Sequence, residues 1–415
     1  MVRLLTAMRI VLSVASIAVL GFAAYWSLQL GYADRLAHTD SPEQVKRATE
    51  LAPCNARYLV RLAVMLDQWG KDRGASVAAL EAAVLCNPRD SASWIELGLQ
   101  AEMEGDFTKA ERCLLEAARV DKQYDPRWVL ANFYFRRNDT ENFWLWAREA
   151  AVMSYGDATP LFRLAWRITQ DAGVILERAI PDQPAVLVRY LSFLLADNHL
   201  KAAETVAHQV VRHARREDLP LMFAACDRLL EAQEWEATLR IWSGLWARKL
   251  IPYLAPDAKQ GLSLTNGDFR SPPLSRGFDW RVHAAEGVSV SRRESPPALR
   301  VTFSGRQPEN FEVLSQFVPL LPGREYRLRF RYRTTEIGPG TGLRWRIVDI
   351  ATGKELAKSS PDLSSIKDRQ EEVLFSTAAE TRLGRVVLAY QRAPGTTRIE
   401  GSISLAEVSL AFGPP

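Results

Sequence analysis

The residues with the most distinctive chemistry in this chain are arginines. In the run Tyr326-Arg327-Leu328-Arg329-Phe330-Arg331-Tyr332-Arg333, apolar and basic residues alternate. A β-strand turns successive side chains to opposite faces, so Tyr326, Leu328, Phe330 and Tyr332 share one face and the four arginines share the other. A second run repeats the pattern, with Leu343, Trp345 and Ile347 inward and Arg344 and Arg346 outward. If these strands pair as a hairpin across the Pro339-Gly340 turn, six guanidinium groups stand on one sheet face, and Arg300 extends it. The guanidinium fork suits planar contact with carboxylate, sulfate or phosphate. Two readings stay open. One is a cationic surface for an acidic glycan, a phosphorylated head group or an acidic protein. The other is a solvated face whose arginines pair across strands with Glu325, Glu371 or Glu372.

Other chemistry is sparse. The chain has no G-x-S-x-G elbow, no H-E-x-x-H, no phosphate-cradling G-x-x-x-x-G-K-[ST] and no G-x-G-x-x-G after a strand. His208 and His213 are five apart on an expected helix, on different faces, which is wrong for a shared metal. No catalytic residue and no metal ligand is assigned, and the chain is expected not to be an enzyme. The cysteines Cys54, Cys86, Cys113 and Cys226 form no C-x-x-C pair. Neighbouring helices pack about 8–10 Å apart, so all four are expected as buried, unbridged, small apolar residues.

The elements that position these groups change character along the chain. Its 415 residues exceed one ordinary domain. The net charge of +4 is small and does not point to nucleic acid. The excess sits late: residues 262–415 carry 22 Lys/Arg against 17 Asp/Glu, and residues 1–261 carry 31 against 32. From Leu262 onward helical periodicity gives way to alternation. Strands are expected at Leu299–Phe303, Phe311–Pro319, Glu325–Thr334, Leu343–Asp349, Glu371–Thr377, Arg385–Tyr390 and Ser402–Phe412. Many short strands parted by Pro/Gly turns imply a sandwich or jelly roll over 262–413. Trp345 is expected in its core, which leaves Phe278, Trp280, Tyr390 and the Gly338–Gly342 loop as candidate sugar-stacking positions.

Before it, residues 41–256 read as helical hairpins with a 34-residue period. In the unit 91–124, Trp94, Leu97, Gly98, Ala101, Gly105, Phe107, Ala110, Leu114 and Ala117 hold positions 4, 7, 8, 11, 15, 17, 20, 24 and 27. The next unit repeats it with Trp128, Ala131, Asn132, Phe135 and Ala151, and the previous one keeps Leu80, Ala83 and Asn87-Pro88. Ala48, Leu51 and Pro53 close a still earlier unit, and the pattern decays after 158. This spacing resembles the tetratricopeptide consensus. The resemblance implies a stacked solenoid whose concave groove, lined by first helices, docks protein partners. Its positions 2, 5, 9 and 12 fall on Tyr58, Arg61, Met65 and Gln68, then Ala92, Ile95, Leu99 and Glu102, then Val129, Phe133 and Arg136. The alternative is that these are ordinary stacking residues. Trp242 and Trp246 are candidates to seal the solenoid end.

The late half also carries a resemblance. Asn266-Gly267-Asp268-Phe269, Phe278-Asp279-Trp280, Gln316-Phe317-Val318-Pro319-Leu320, Pro322-Gly323-x-x-Tyr326 and a closing Ala406-Glu407-Val408-Ser409-Leu410 resemble jelly-roll carbohydrate-binding modules. That family's closing strand often carries Asp-Asp, whose first member helps hold a structural calcium. Here Ala406 and Glu407 stand there and only Asp268 remains, so no cofactor is expected.

At the other end, residues 10–30 contain no charged side chain, enough for one bilayer crossing. Arg3 and Arg9 precede them, which puts residues 1–9 in the cytoplasm and everything after Leu30 outside. Tyr25, Trp26 and Tyr32 would lie at the outer interface. A cleaved signal peptide or a buried helix are the alternatives, and the first still exports the rest. The expectation is therefore a multidomain chain: one transmembrane helix, an all-α solenoid and an all-β jelly roll. It would be a single-pass inner-membrane scaffold with its bulk on the periplasmic side. Protein partners would dock on the solenoid, an acidic glycan is the candidate ligand of the sandwich, and exopolysaccharide assembly or export is one setting. A purely protein-binding role is the alternative.

Overall fold

The computed structural model describes residues 2–70 and 72–413, with side chains from residue 12 onward except at 69 and 70. It divides into two compact units, 1–181 and 182–415. The change from helix to strand near residue 256 is therefore not where the compact units part.

The first unit is helical. The helix α1 (Val2–Ala37) runs past the expected end at Leu30 without a break. Its stretch Leu12–Ala37 is long and apolar enough to cross a membrane, or to serve as a signal sequence. The side chains of Arg3 and Arg9 lie outside the described residues. The end of α1 is not a tether. Ala33 and Ala37 are buried against Ala48 and Ala52 of the following segment, which includes α2 (Pro42–Leu51). Gln29 donates to the Leu51 carbonyl at 3.2 Å. The last turns of α1 thus supply the first helix of the early unit that Ala48 and Leu51 announced.

Three regular hairpins follow: α3 (Ala56–Met65) with α4 (Arg73–Cys86), α5 (Ser91–Met103) with α6 (Phe107–Val120), and α7 (Tyr124–Arg136) with α8 (Thr140–Met153). Several helices start on an aspartate. Asp72, Asp90, Asp106 and Asp139 each accept a backbone N–H from the first turn, satisfying a donor that helix geometry leaves free. The hairpins close through small residues. A Cβ on Gly98 would come within 2.8 Å of Leu114 and 3.3 Å of the Ala110 carbonyl. The short helices α9 (Thr159–Ile168) and α10 (Ala172–Arg178) end the unit.

Cys54 and Cys86 form a disulfide with Cα atoms 5.1 Å apart, which corrects the unbridged reading. The helix-to-helix distance does not apply to them. Cys54 lies in the turn before α3 and Cys86 at the last residue of α4, where chain ends converge. Cys113 and Cys226 are buried and free, as expected.

The second unit joins four helices to a sandwich. The helices are α11 (Pro184–Ala196), α12 (Leu200–His213), α13 (Leu219–Glu231) and α14 (Trp235–Ala247). One sheet has the order β1 (Arg281–Val282), β4 (Asn310–Pro319), β9 (Leu383–Gln391), β6 (Leu343–Asp349), β7 (Glu355–Lys358). The other has β2 (Val288–Glu294), β3 (Pro297–Ser304), β10 (Glu400–Phe412), β5 (Glu325–Thr335), β8 (Arg369–Ser376). All named pairs are antiparallel. The short strands β1 and β7 and the polar β2 were not anticipated, because their alternation is too brief or too hydrophilic to read.

Helices and sandwich meet in a tight seam. Trp242 on α14 is fully buried, with Tyr253 and Phe278 rings each 6.1 Å away. Gly277, at φ +53°, lies so close that a Cβ would stand 2.2 Å from the indole. On α13, Asp227 accepts from Arg276 (3.0 Å), the Gly277 N–H (2.8 Å) and Arg281 (2.7 Å). Trp242 takes the sealing role, whereas Trp246 remains 44% exposed.

Gly98→Val is expected to lower stability by about 1–3 kcal/mol through overpacking against Leu114. Gly74→Ala, which meets nothing nearer than 3.8 Å, should leave the melting curve in place or raise it slightly. Thermal denaturation followed by far-ultraviolet circular dichroism measures both; equal curves for the Gly98 variant and the native chain would remove the close-packing account.

Candidate functional site

The groove begins on α3. Arg61 donates to the Thr39 carbonyl at 3.0 Å and faces Asp40 at 3.5 Å. Arg57, Val60, Val64, Met65 and Gln68 join it around a cavity of ≈ 560 Å³. Val64 and Gln68 also line an adjoining cavity of ≈ 600 Å³, with Leu80, Glu96, Leu99, Met103 and Arg136. Across its wall Arg136 forks onto Glu102, with both N···O distances 2.7 Å. First helices of successive repeats thus form one continuous trough.

Not every expected position reaches it. Tyr58 is buried under α1 and α2, its hydroxyl donating to Asp34 at 3.0 Å. Phe133 is buried edge-on to Tyr134 with centroids 5.2 Å apart. Both are packing residues, because the neighbouring helices cover them. Met65 is mostly buried beside Val45 and Leu62 and meets the trough only at its wall. Ile95 and Val129 are half-buried and line neither cavity.

The arginines are sorted differently from the hairpin expectation. β5 and β6 lie in opposite sheets, so Arg344 and Arg346 do not share a face with Arg327, Arg329, Arg331 and Arg333. Burial explains this. Set across the sandwich, the apolar rows of both strands meet in one core, with Phe330 and Trp345 rings 5.9 Å apart. Arg344 is held by Asp362 at 2.8 Å and Arg346 by Glu355 at 2.6 Å.

On the β5 sheet the pairing is uneven. Arg327 and Arg329 share Glu372, at 3.6 and 3.3 Å. Arg331 faces Glu407 at 3.7 Å. Arg333 and Arg300 stand in one row, each in register with Ser404 of β10. Arg300 hydrogen-bonds Ser402 Oγ at 3.1 Å, and neither has a carboxylate partner among the described residues. Arg331, Arg333, Ser404, Glu407, Arg293 and Arg270 line a depression of ≈ 550 Å³ on this side. Arg293 and Arg270 were not anticipated, since β2 gives little sequence signal. Asp268, the residue left from the family's calcium set, lies in this arginine-rich depression and pairs with Arg270 at 3.1 Å. That donor set does not fit a calcium ion, and no group of three His, Cys, Asp or Glu suited to a metal occurs among the described residues.

The chain is similar to proteins of two kinds. Its late part is similar to a carbohydrate-binding module CBM4 structure, at 12% identity over 36% of this chain and 100% of the other, with TM-score 0.30. It is also similar to the CBM22-1 xylan-binding domain of Paenibacillus barcinonensis Xyn10C, at 12% identity over 35% and 91%, with TM-score 0.25. The helical part is similar to YrrB, a TPR protein with an unusual peptide-binding site, at 12% identity over 51% and 94%, with TM-score 0.26. No family model matches the chain. No curated protein matches it. The architecture is a run of helical hairpins followed by a sandwich of two antiparallel sheets.

The sandwich offers few ring platforms. Phe278, Trp280 and Tyr390, expected as stacking candidates, are fully buried, as is Trp345. Asp279 in the same motif is also buried. Burial, the largest influence, pushes its carboxyl up to about 6, against the hydrogen bonds from Leu274 N–H, Trp280 N–H and Asn266 that hold it down. A raised folded-state pKa favours the folded state most below the unfolded value and loses that contribution as pH rises through the folded one. The native chain should therefore lose stability from this group between pH 4 and 6. Asp279→Asn should flatten that part of the profile. Urea midpoints measured across this range test it, and an unchanged slope in the variant would contradict the assignment.

Proposed function

We propose that this protein is a non-enzymatic, exported scaffold, held at the inner membrane by α1. It docks protein partners in the helical trough and binds an acidic glycan on the β5 sheet face. Assembly or export of an envelope polysaccharide is the setting this reading favours. The observation that carries it is the row Arg333–Ser404–Arg300, two guanidinium groups without carboxylates beside a broad depression. Acidic sugars offer the planar carboxylate or sulfate groups that such forks recognise, and their rings need no aromatic platform there.

Export is supported by chemistry separate from the apolar helix. Disulfides form and persist in oxidising compartments and are rare in the cytosol, and Cys54–Cys86 bridges successive repeats. The fusion of α1 with the first repeat supports an anchor over a discarded leader, because Ala33 and Ala37 belong to a packed core. A second reading, protein binding alone, draws support from Arg327, Arg329 and Arg331, which already face carboxylates.

Electrophoresis of the detergent-solubilised full chain through gels containing a polyuronate separates the two readings. Retardation is expected, weakened by added salt and by Arg300→Ala with Arg333→Ala. Arg344→Ala with Arg346→Ala should migrate like the native chain. Unretarded native protein would leave only the protein-binding reading. Thiol counting checks export. Denatured without reductant, the four-cysteine chain isolated from its native membrane should take up two maleimides, and four after reduction. Four labels without reductant would remove the redox support.

A further inference from the structure

The trough contains a carboxylate with nothing to bind. Glu96, on α5, is half-buried and lines the cavity with Val64, Leu80 and Leu99. It has no hydrogen bond or ion pair among the described residues. The nearby cation that lines the same cavity, Arg136, is already forked onto Glu102. Asp67, also in the wall, faces Arg73 at 3.9 Å. Burial alone displaces the Glu96 carboxyl upward, the sign of an anion losing water without gaining a partner.

A ligand that fills this cavity displaces the remaining water from Glu96 and must replace it. An unpaired carboxylate in a closed site is costly, whereas a cation brought against it is favourable. The flanking Val64, Leu80 and Leu99 supply apolar walls. Lysine and arginine side chains have that form, an apolar stem ending in a charged head. In the adjoining cavity on the α3 side, Arg57 and Arg61 stand with Asp40 and Asp90, so that end presents both signs of charge.

We propose that the trough takes a protein segment bearing a lysine or arginine whose cationic head pairs with Glu96. This rests on the trough being a docking surface. It assigns the partner's charge at one position, opposite to what a cluster of free basic residues would select.

The test is selection of a displayed random-peptide library on the full chain in detergent, on Glu96→Gln and on Glu96→Lys. On the native chain, Lys and Arg should be enriched at one position about tenfold over Gln, the scale of one charge-assisted contact. Glu96→Gln should still select peptides but lose that enrichment, and Glu96→Lys should enrich Asp or Glu there. Matching melting curves establish that the variants are folded. Enrichment with no basic preference on the native chain, or a preference that survives Glu96→Gln, overturns this inference and leaves docking intact. Failure to enrich any peptide on the native chain overturns both.

Discussion

The helical unit depends on how closely its helices approach. Ala33 and Ala37 are buried with Ala48 in one cluster, and where Gly98 meets Leu114 an added Cβ would stand only 2.8 Å away. Close approach lets each larger side chain fill the gap beside a small one, so burial is gained from contact and not from sheer bulk. It also places first helices side by side, and the trough is the surface that this spacing leaves. A single added side-chain atom at such a point would separate neighbouring helices and widen the trough they define.

Much of this was legible in the sequence because it is periodic. The 34-residue recurrence of Trp94 and Trp128, of Leu80 and Leu114, and of Ala83, Ala117 and Ala151, with the alternation in β5, reports local geometry directly. What they do not report is partner choice. Alternation assigned Arg329 and Arg346 to outward faces correctly, yet could not say that their strands belong to different sheets. The same limit applies to Tyr58 and Phe133: the repeat position specified a first helix, but neighbouring elements decided that their rings are covered. The disulfide escaped for another reason. A mean helix spacing describes mid-helix packing, and Cys54 and Cys86 sit where helices stop. In the N-terminal segment, charge-free composition marked residues 10–30, but the helix continues because Ala33 and Ala37 pack.

The distribution of charge follows the same division between local pattern and tertiary outcome. Outward arginines on both sheets would repel one another without compensation. Most are balanced by a carboxylate supplied from a neighbouring strand or loop: Glu372, Glu407, Glu355 or Asp362. Exposed pairs of this kind contribute little to stability individually. Their effect is to offset most of the arginine charge on the sheet faces, whereas the Arg300–Arg333 row and, in the trough, the Glu96 carboxylate have no oppositely charged partner among the described residues.

The seam around Trp242 bears on how such a chain can be rearranged in evolution. An indole seated against a residue that cannot carry a side chain, beside one aspartate collecting three donors from β1 and the turn before it, is a lock cut for one key. A sugar-binding domain joined through a plain spacer can be shuffled freely among unrelated proteins. This sandwich cannot move without α13 and α14, so the unit of inheritance is helices and sheets together, and homologues should gain or lose them as one block.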